Sequence, residues 1–231
     1  MFDGRKDKES SAIWYNSNGN IGFSNYLVNN SLLSAFSQLA NIGRLDCQPI
    51  FWEKKEYVSL SKNDVFRQYL KSTHLIKDLN NLKFIAIHCA ANDPRKSWSK
   101  ENVTELAKRM LTETTDIILL DIGLEKQIFI DDDRVVDLTK NNNLQQIYQV
   151  VKNIDLFVGV DSSFMHFANC AKVKSIGIFG QLENFIDYNP YSGCYGKEEK
   201  IVFVRPYNRS LNAREVEIKQ VIHEFQKFIS K

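Results

Sequence analysis

The sequence predicts an α/β fold built on a mostly parallel sheet with helices on both faces. Three observations predict it. From about residue 83 onward, short apolar runs alternate with amphipathic stretches on short connections. Several of the runs are apolar throughout rather than at every second position, as in strands buried on both faces. Finally, Leu156–Val160 passes through Asp161-Ser162-Ser163 directly into the apolar stretch Phe164–Ala171, a strand handing over to a helix.

Taken in order, Lys83–His88 (KFIAIH) reads as a strand. Ser99 caps a helix through about Thr114, with Val103, Leu106, Ala107, Met110 and Leu111 on one face. Asp116–Asp121 (DIILLD) is a second buried strand, followed by a short irregular or helical piece around Leu124–Gln127. Val135–Leu138 is a brief strand. Asn143–Lys152 is a helix whose apolar stripe is Leu144, Ile147, Tyr148 and Val151, with Asn143 as the cap of the Asn141-Asn142-Asn143 loop. After the Leu156–Val160 strand and its helix come a strand at Lys174–Phe179, a late strand at Ile201–Val204 and a closing helix over Ala213–Ile229. Right-handed crossovers between such elements give Rossmann-like layers. The first 80 residues are less regular: Tyr26–Leu39 and Asn63–Leu70 read as helices, Ile50–Trp52 and Tyr57–Leu60 as short extended pieces, and Lys71–Asn81 as a polar linker. The expected division is a partial domain over residues 1–80 and a complete Rossmann-like domain over 81–231.

Composition narrows the class. The 231 residues are 43% hydrophobic and 25% charged, ordinary for a globular protein. Thirty basic against 28 acidic side chains give a formal charge of +2, without the basic excess of a nucleic-acid binder. Cys47, Cys89, Cys170 and Cys194 form no C-x-x-C pair, so neither a zinc site nor a dithiol centre is indicated. Reduced thiols in the cytosol are the default. The N-terminal Met1-Phe-Asp-Gly-Arg-Lys lacks the apolar region of a signal peptide, and no apolar run approaches the about 20 residues of a membrane span.

Residues 155–166 (DLFVGVDSSFMH) carry the chemistry. Asp161 or Ser162 would cap the helix by accepting from a first-turn amide. The remaining amides and the positive end of the helix dipole then face the crevice above the strand's carboxyl end. An open α/β sheet binds anionic ligands there, diphosphates above all. His166, one turn in, adds a donor.

Four elements in order between Phe84 and about Asn184 resemble the C-terminal domain of the family 9 glycosyltransferases, the ADP-heptose:lipopolysaccharide heptosyltransferases and their relatives. They are a strand ending in His with a following Lys-x-Trp (Ile85–His88, Lys96-Ser97-Trp98), Asp137-Leu138-Thr139 before a helix, Asp161-Ser162-x-x-x-His166 after a strand, and Phe179-Gly180 closing a later strand. Cys89-Ala90, Lys140, Ser163 and Gln181-Leu182 depart from the Pro-Gly, Gly, Gly and Pro-Thr usual at those places. Phe2-Asp3-Gly4 and Ile21-Gly22-Phe23 resemble stretches inside the family's N-terminal domain, so the chain reads as a member lacking the first part of that domain.

The resemblance implies a GT-B-like fold and an inverting, metal-independent transfer of a sugar such as heptose. The sugar passes from a nucleotide-diphosphate donor, such as ADP-heptose, to a lipopolysaccharide-core or other surface-glycan acceptor. No cofactor is expected beyond that co-substrate, and no nucleic-acid partner. Peripheral contact with the inner face of the cytoplasmic membrane and self-association stay open. By the same resemblance Lys96 neutralises the leaving diphosphate and Asp161 faces the sugar. Ser162 and Ser163 offer amides to the diphosphate, His166 donates to a phosphate oxygen, and Glu125 accepts from the ribose. Arg95 competes with Lys96, and Asp121 with Glu125. Trp98 reads as an anchor of its loop. The catalytic base is not identified, Asp3 being the early acid considered, and Tyr188, Tyr191 and Tyr195 receive no role. The alternative is a nucleotide-sugar-binding module or an incomplete family member with an assembly role.

Overall fold

A computed structural model describes residues 14–16, 19–21, 47–58, 60–71, 75–76, 79–140, 142–181 and 189–230. The Tyr26–Leu39 helix, Asp3 and Tyr188 lie outside the described residues. Two short strands, β1 (Trp14–Asn16) and β2 (Gly19–Ile21), pair antiparallel.

The candidate site is carried by a six-stranded, all-parallel sheet. Its strands are β3 (Lys83–His88), β4 (Ile117–Asp121), β5 (Val135–Asp137), β6 (Leu156–Val160), β7 (Ser175–Ile178) and β8 (Ile201–Val204), in spatial order β5-β4-β3-β6-β7-β8. The chain winds outward from β3 in one direction, then returns to the other side of β3 and winds outward again. The winding reverses between β3 and β6, and the crossover segments leaving these two strands part there.

Alternation along each strand divides the core in two. Phe84, Ala86, Ile118, Leu120 and Phe157 point to one face. There they meet α4 (Leu144–Asn153) through Ile147, Val150 and Val151, and α5 (Ser163–Cys170) through Met165 and Ala168. Ile85, Ile87, Ile117, Leu119 and Val158 point to the other face. There α3 (Lys100–Glu113) and α7 (Ile218–Ile229), which follows the single turn α6 (Gly193–Gly196), cover them with Leu106, Met110, Val221 and Phe225. The caps follow the sequence reading: Ser99 Oγ accepts from Asn102 N at 3.2 Å, and Asn143 Oδ1 from Gln146 N at 3.0 Å.

The segment before the sheet packs onto it. In α2 (Lys62–Arg67), Phe66 is fully buried and stacks on Phe84 at 3.8 Å between ring centroids. Asp155 Oδ2 accepts from Lys62 Nζ at 2.6 Å and from Phe84 N at 2.7 Å, pinning α2 to the start of β3. Leu75 and Leu79 enter the same core, so the stretch read as a polar linker contributes two buried side chains. Upstream, residues 47–54 form a strap across the helices. Phe51 lies 4.2 Å from Tyr148 and 5.0 Å from Phe167, and Gln48 Oε1 accepts from Cys194 N at 3.0 Å. Glu53 accepts from Gln149 and pairs with Lys152.

Three expectations are corrected. Tyr57–Leu60 is not extended: Lys55–Val58 is a single helical turn, α1, whose Val58 is exposed and has no sheet to join. Ile50–Trp52 joins no ladder, because Phe51 turns inward onto the helices while Ile50 and Trp52 face solvent. The closing helix is broken into a 3-10 turn at Ala213–Glu215 and α7, which starts where Gln220 Oε1 accepts from Glu217 N at 3.1 Å. No described helix is long and apolar enough to cross a membrane.

Phe66→Ala tests whether residues before 81 fold with the sheet. Urea denaturation should show a loss of about 3–5 kcal/mol in one shared transition. A separate early transition, with the main one unmoved, would contradict this packing.

Candidate functional site

The loops after β3 and after β6 bound a cleft of about 610 Å³ at the carboxyl edge of the sheet. The first loop is built to present one side chain. Trp98 N donates to Cys89 O at 2.9 Å and Trp98 Nε1 to Val216 O at 3.0 Å, and the indole is 3% exposed. Ser97 Oγ accepts from Ala91 N at 2.9 Å, and Lys96 N donates to Asp93 O at 3.0 Å. Trp98 therefore anchors the loop, and Lys96 is carried over the cleft. Arg95, the alternative cation, is instead engaged by Asp93 at 2.7 Å, which holds the Asp93 carboxyl down at about 2.

The second loop is the strand-to-helix turn. Lys96 Nζ donates to Asp161 Oδ2 at 2.6 Å, bridging the two loops across 65 residues of sequence. Tyr191 donates its hydroxyl to Asp161 Oδ1 at 3.1 Å. The side-chain cap expected from Asp161 or Ser162 is absent. Ser162 is the extended N-cap of α5 but makes no side-chain cap bond, and the Asp161 carboxylate is turned instead to Lys96 and Tyr191. Ser162 Oγ is buried with no hydrogen-bond partner among the described residues. The first-turn amides of α5 lack intrahelical acceptors, so the positive end of the helix opens on the cleft.

Lys96, Glu125, Asp161, Ser162 and Ser163 all line this one cleft, together with His88, Lys100, Leu124 and Phe164. Glu125 sits at its outer rim, 76% exposed and paired with Lys100 at 3.0 Å. His166 is not among the lining residues; its ring lies 4.8 Å from that of Tyr191. The surrounding protein lowers its pKa by desolvation. Asp161 opposes that shift, and Lys96 reinforces it. A second groove of about 530 Å³, between β8 and α7, holds none of the residues singled out from the sequence.

Behind the cleft lies a buried polar layer. Asp121 is 0% exposed, so it cannot compete with Glu125 for a ligand. Its Oδ2 accepts from Gln127 N and Ile128 N at 2.8 Å each, closing the 122–128 loop, while Oδ1 has no hydrogen-bond partner among the described residues. Gln127 Oε1 in turn accepts from Cys89 N at 2.8 Å, tying this loop to the Lys96 loop. His88 Nδ1 lies 2.8 Å from Ile122 O, and burial lowers its pKa. Gly123, at φ +139°, lies so close to His88 that a Cβ there would meet Nδ1 at 2.7 Å. Burial raises Asp121 to about 6, against the two amides that favour its charged form. Sequence reasoning missed Gln127 and Tyr191. Neither stands in a motif, and each acts through a bond to a group far away in the chain.

The family model for glycosyltransferase family 9 (heptosyltransferase) matches residues 51–220. The fold is similar to that of E. coli ADP-heptose LPS heptosyltransferase II, with a TM-score of 0.59 at 16% identity, over 79% of this chain and 54% of that one. A family 9 glycosyl transferase from Veillonella parvula gives 0.58 at 13%, over 83% and 57%. E. coli heptosyltransferase WaaC with ADP-2-deoxy-2-fluoro heptose gives 0.51 at 13%, over 83% and 53%. The chain thus spans about half the length of the solved structures it matches. No curated protein matches. At these identities the likeness is one of fold, and it agrees with the GT-B-like α/β expectation.

Asp121 carries a pH signature. Its folded pKa, about 6, is above the ordinary aspartate value, so the folded chain holds this proton more tightly. Its contribution to stability is complete below the unfolded pKa and is lost as pH rises through about 6. Asp121→Asn removes the titration. Denaturant unfolding at pH 5 and pH 7.5 should show the variant gaining on the wild type by on the order of 1–3 kcal/mol at the higher pH. An equal difference at both pH values would show that the carboxyl is not perturbed.

Proposed function

Because the chain belongs to glycosyltransferase family 9, we propose that it binds a nucleotide-diphosphate sugar in the cleft between the β3 and β6 loops and transfers the sugar to a saccharide acceptor. The proposed donor is ADP-heptose, the acceptor a lipopolysaccharide core or another surface glycan, and the transfer inverts the anomeric centre without a metal ion. One observation carries this reading: Lys96 and the open amino end of α5, beside a Ser162 hydroxyl with no partner among the described residues, converge where the sheet reverses its winding. That convergence supports a diphosphate there.

In the proposed reaction the bond from the anomeric carbon to the diphosphate breaks and negative charge grows on the leaving group. Lys96, the amides of Ser162 and Ser163, and His166 stabilise it. Lys96 is held by Asp161 at 2.6 Å. A diphosphate competes for that ammonium and leaves the carboxylate to the sugar hydroxyls. Glu125, at the rim, accepts from the ribose once it parts from Lys100. A carboxylate from the acceptor side deprotonates the incoming hydroxyl. That side is assigned to residues 1–80, of which 47–54 and 60–70 already pack on the sheet unit. The reading sets the reaction in the cytoplasm, at the inner face of the membrane carrying the acceptor. The unpaired cysteines Cys47, Cys89, Cys170 and Cys194 suit such a reducing compartment.

A second reading, a binding module without turnover, is favoured by one observation: the described residues lining the cleft all lie from His88 to Phe164, on one sheet unit. Mass-detected transfer or hydrolysis across a panel of nucleotide sugars separates the two.

Calorimetric titration with ADP should give micromolar-to-millimolar binding. Lys96→Ala and His166→Ala should each weaken it by roughly 1–3 kcal/mol, as for a lost hydrogen bond to a charged group. Absence of heat with every nucleotide would reject the site. Two folded variants that bind like the wild type would show it to be misplaced.

A further inference from the structure

We propose that Tyr191 is the positioning residue that sets the Asp161 carboxylate for the sugar half of the donor. This rests on the nucleotide-sugar reading above. Tyr191 is 1% exposed and its ring is caged: Phe179 lies 6.0 Å away at 70° and Tyr195 5.7 Å away at 84°. Its backbone is held as well, with Tyr191 N donating to Asn189 Oδ1 at 3.1 Å. The fold therefore fixes where the hydroxyl lies before any ligand arrives.

A buried tyrosine hydroxyl needs an acceptor, and a backbone carbonyl would satisfy it. Tyr195 does this, donating to Val173 O at 2.8 Å. Tyr191 instead spends its donor on a cleft carboxylate, Asp161 Oδ1, at 3.1 Å. The other oxygen, Oδ2, takes Lys96 Nζ at 2.6 Å. Two donors, one on each oxygen and from different sides, fix the plane of a carboxylate that is itself only 10% exposed. The remaining lone pairs are then held for sugar hydroxyls. Without the phenol the carboxylate is free to rotate. That rotation misdirects the oxygens meant for the sugar hydroxyls and leaves Lys96 paired as before. Ring contact with His166 continues in a phenylalanine, so the hydroxyl can be tested by itself.

The full chain is titrated calorimetrically with ADP and with ADP-heptose as wild type, Tyr191→Phe, Asp161→Asn and the double variant, with melting curves to confirm folding. Tyr191→Phe is expected to keep ADP affinity within about twofold and to lose roughly three- to tenfold toward ADP-heptose. Asp161→Asn should lose at least as much. The double variant should be no weaker than Asp161→Asn alone, because the hydroxyl acts only through that carboxylate. A purely structural role would not produce this coupling. Tyr191→Phe binding ADP-heptose as tightly as the wild type overturns the inference, as does a double variant in which the two losses multiply. A wild type that binds neither ligand overturns the functional reading, and the inference with it.

Discussion

The reversal of winding between β3 and β6 is the constraint on which the rest depends. Parallel strands with right-handed crossovers leave their carboxyl ends on one edge of the sheet. Only where two neighbouring strands send their chains to opposite sides does a crevice open between the loops. Here those neighbours are Lys83–His88 and Leu156–Val160. A close fit keeps them together, for a Cβ on Gly159 would meet the His88 carbonyl oxygen at 2.4 Å. Lys96 enters the crevice from one side and Asp161 from the other, so the charge pair follows from topology, although its members are remote in sequence.

The site is polarised rather than simply basic. At its centre Lys96 and the helix dipole face Asp161, with the Lys100–Glu125 pair at the rim, and the bond between Lys96 and Asp161 keeps both groups in place. A buried ion pair of this kind gives little stability for its desolvation cost. In the proposed reading its value is readiness: a phosphate entering the cleft would exchange one oxygen partner of Lys96 for another and need not first order a mobile side chain.

Much of this was legible in the sequence, because the relevant signals were local. The continuous apolar strands, Ser99 and Asn143 as caps, and the turn at Asp161-Ser162-Ser163 each depend on residues within one or two turns. What was not legible depends on distance. Asp121 looks like any acid at the end of a strand, and only the fold shows it buried against the amides of Gln127 and Ile128. Tyr191 reads as packing until its hydroxyl is seen to reach Asp161. The cap assigned to Asp161 or Ser162 failed for the same reason: a cation 65 residues away outbid the local amide. Short apolar pieces such as Ile50–Trp52 misled because period alone cannot tell a strand from a strap laid over helices.

That strap has a mechanical consequence. Gln48 donates to Asn169 near the carboxyl end of the helix whose amino end opens on the cleft, and Phe51 is clasped by rings from that helix and its neighbour. The strap thus ties residues 47–54 to the carboxyl end of the same two-turn helix whose amino end lines the cleft, so the two ends of one short helix are held by segments far apart in the chain.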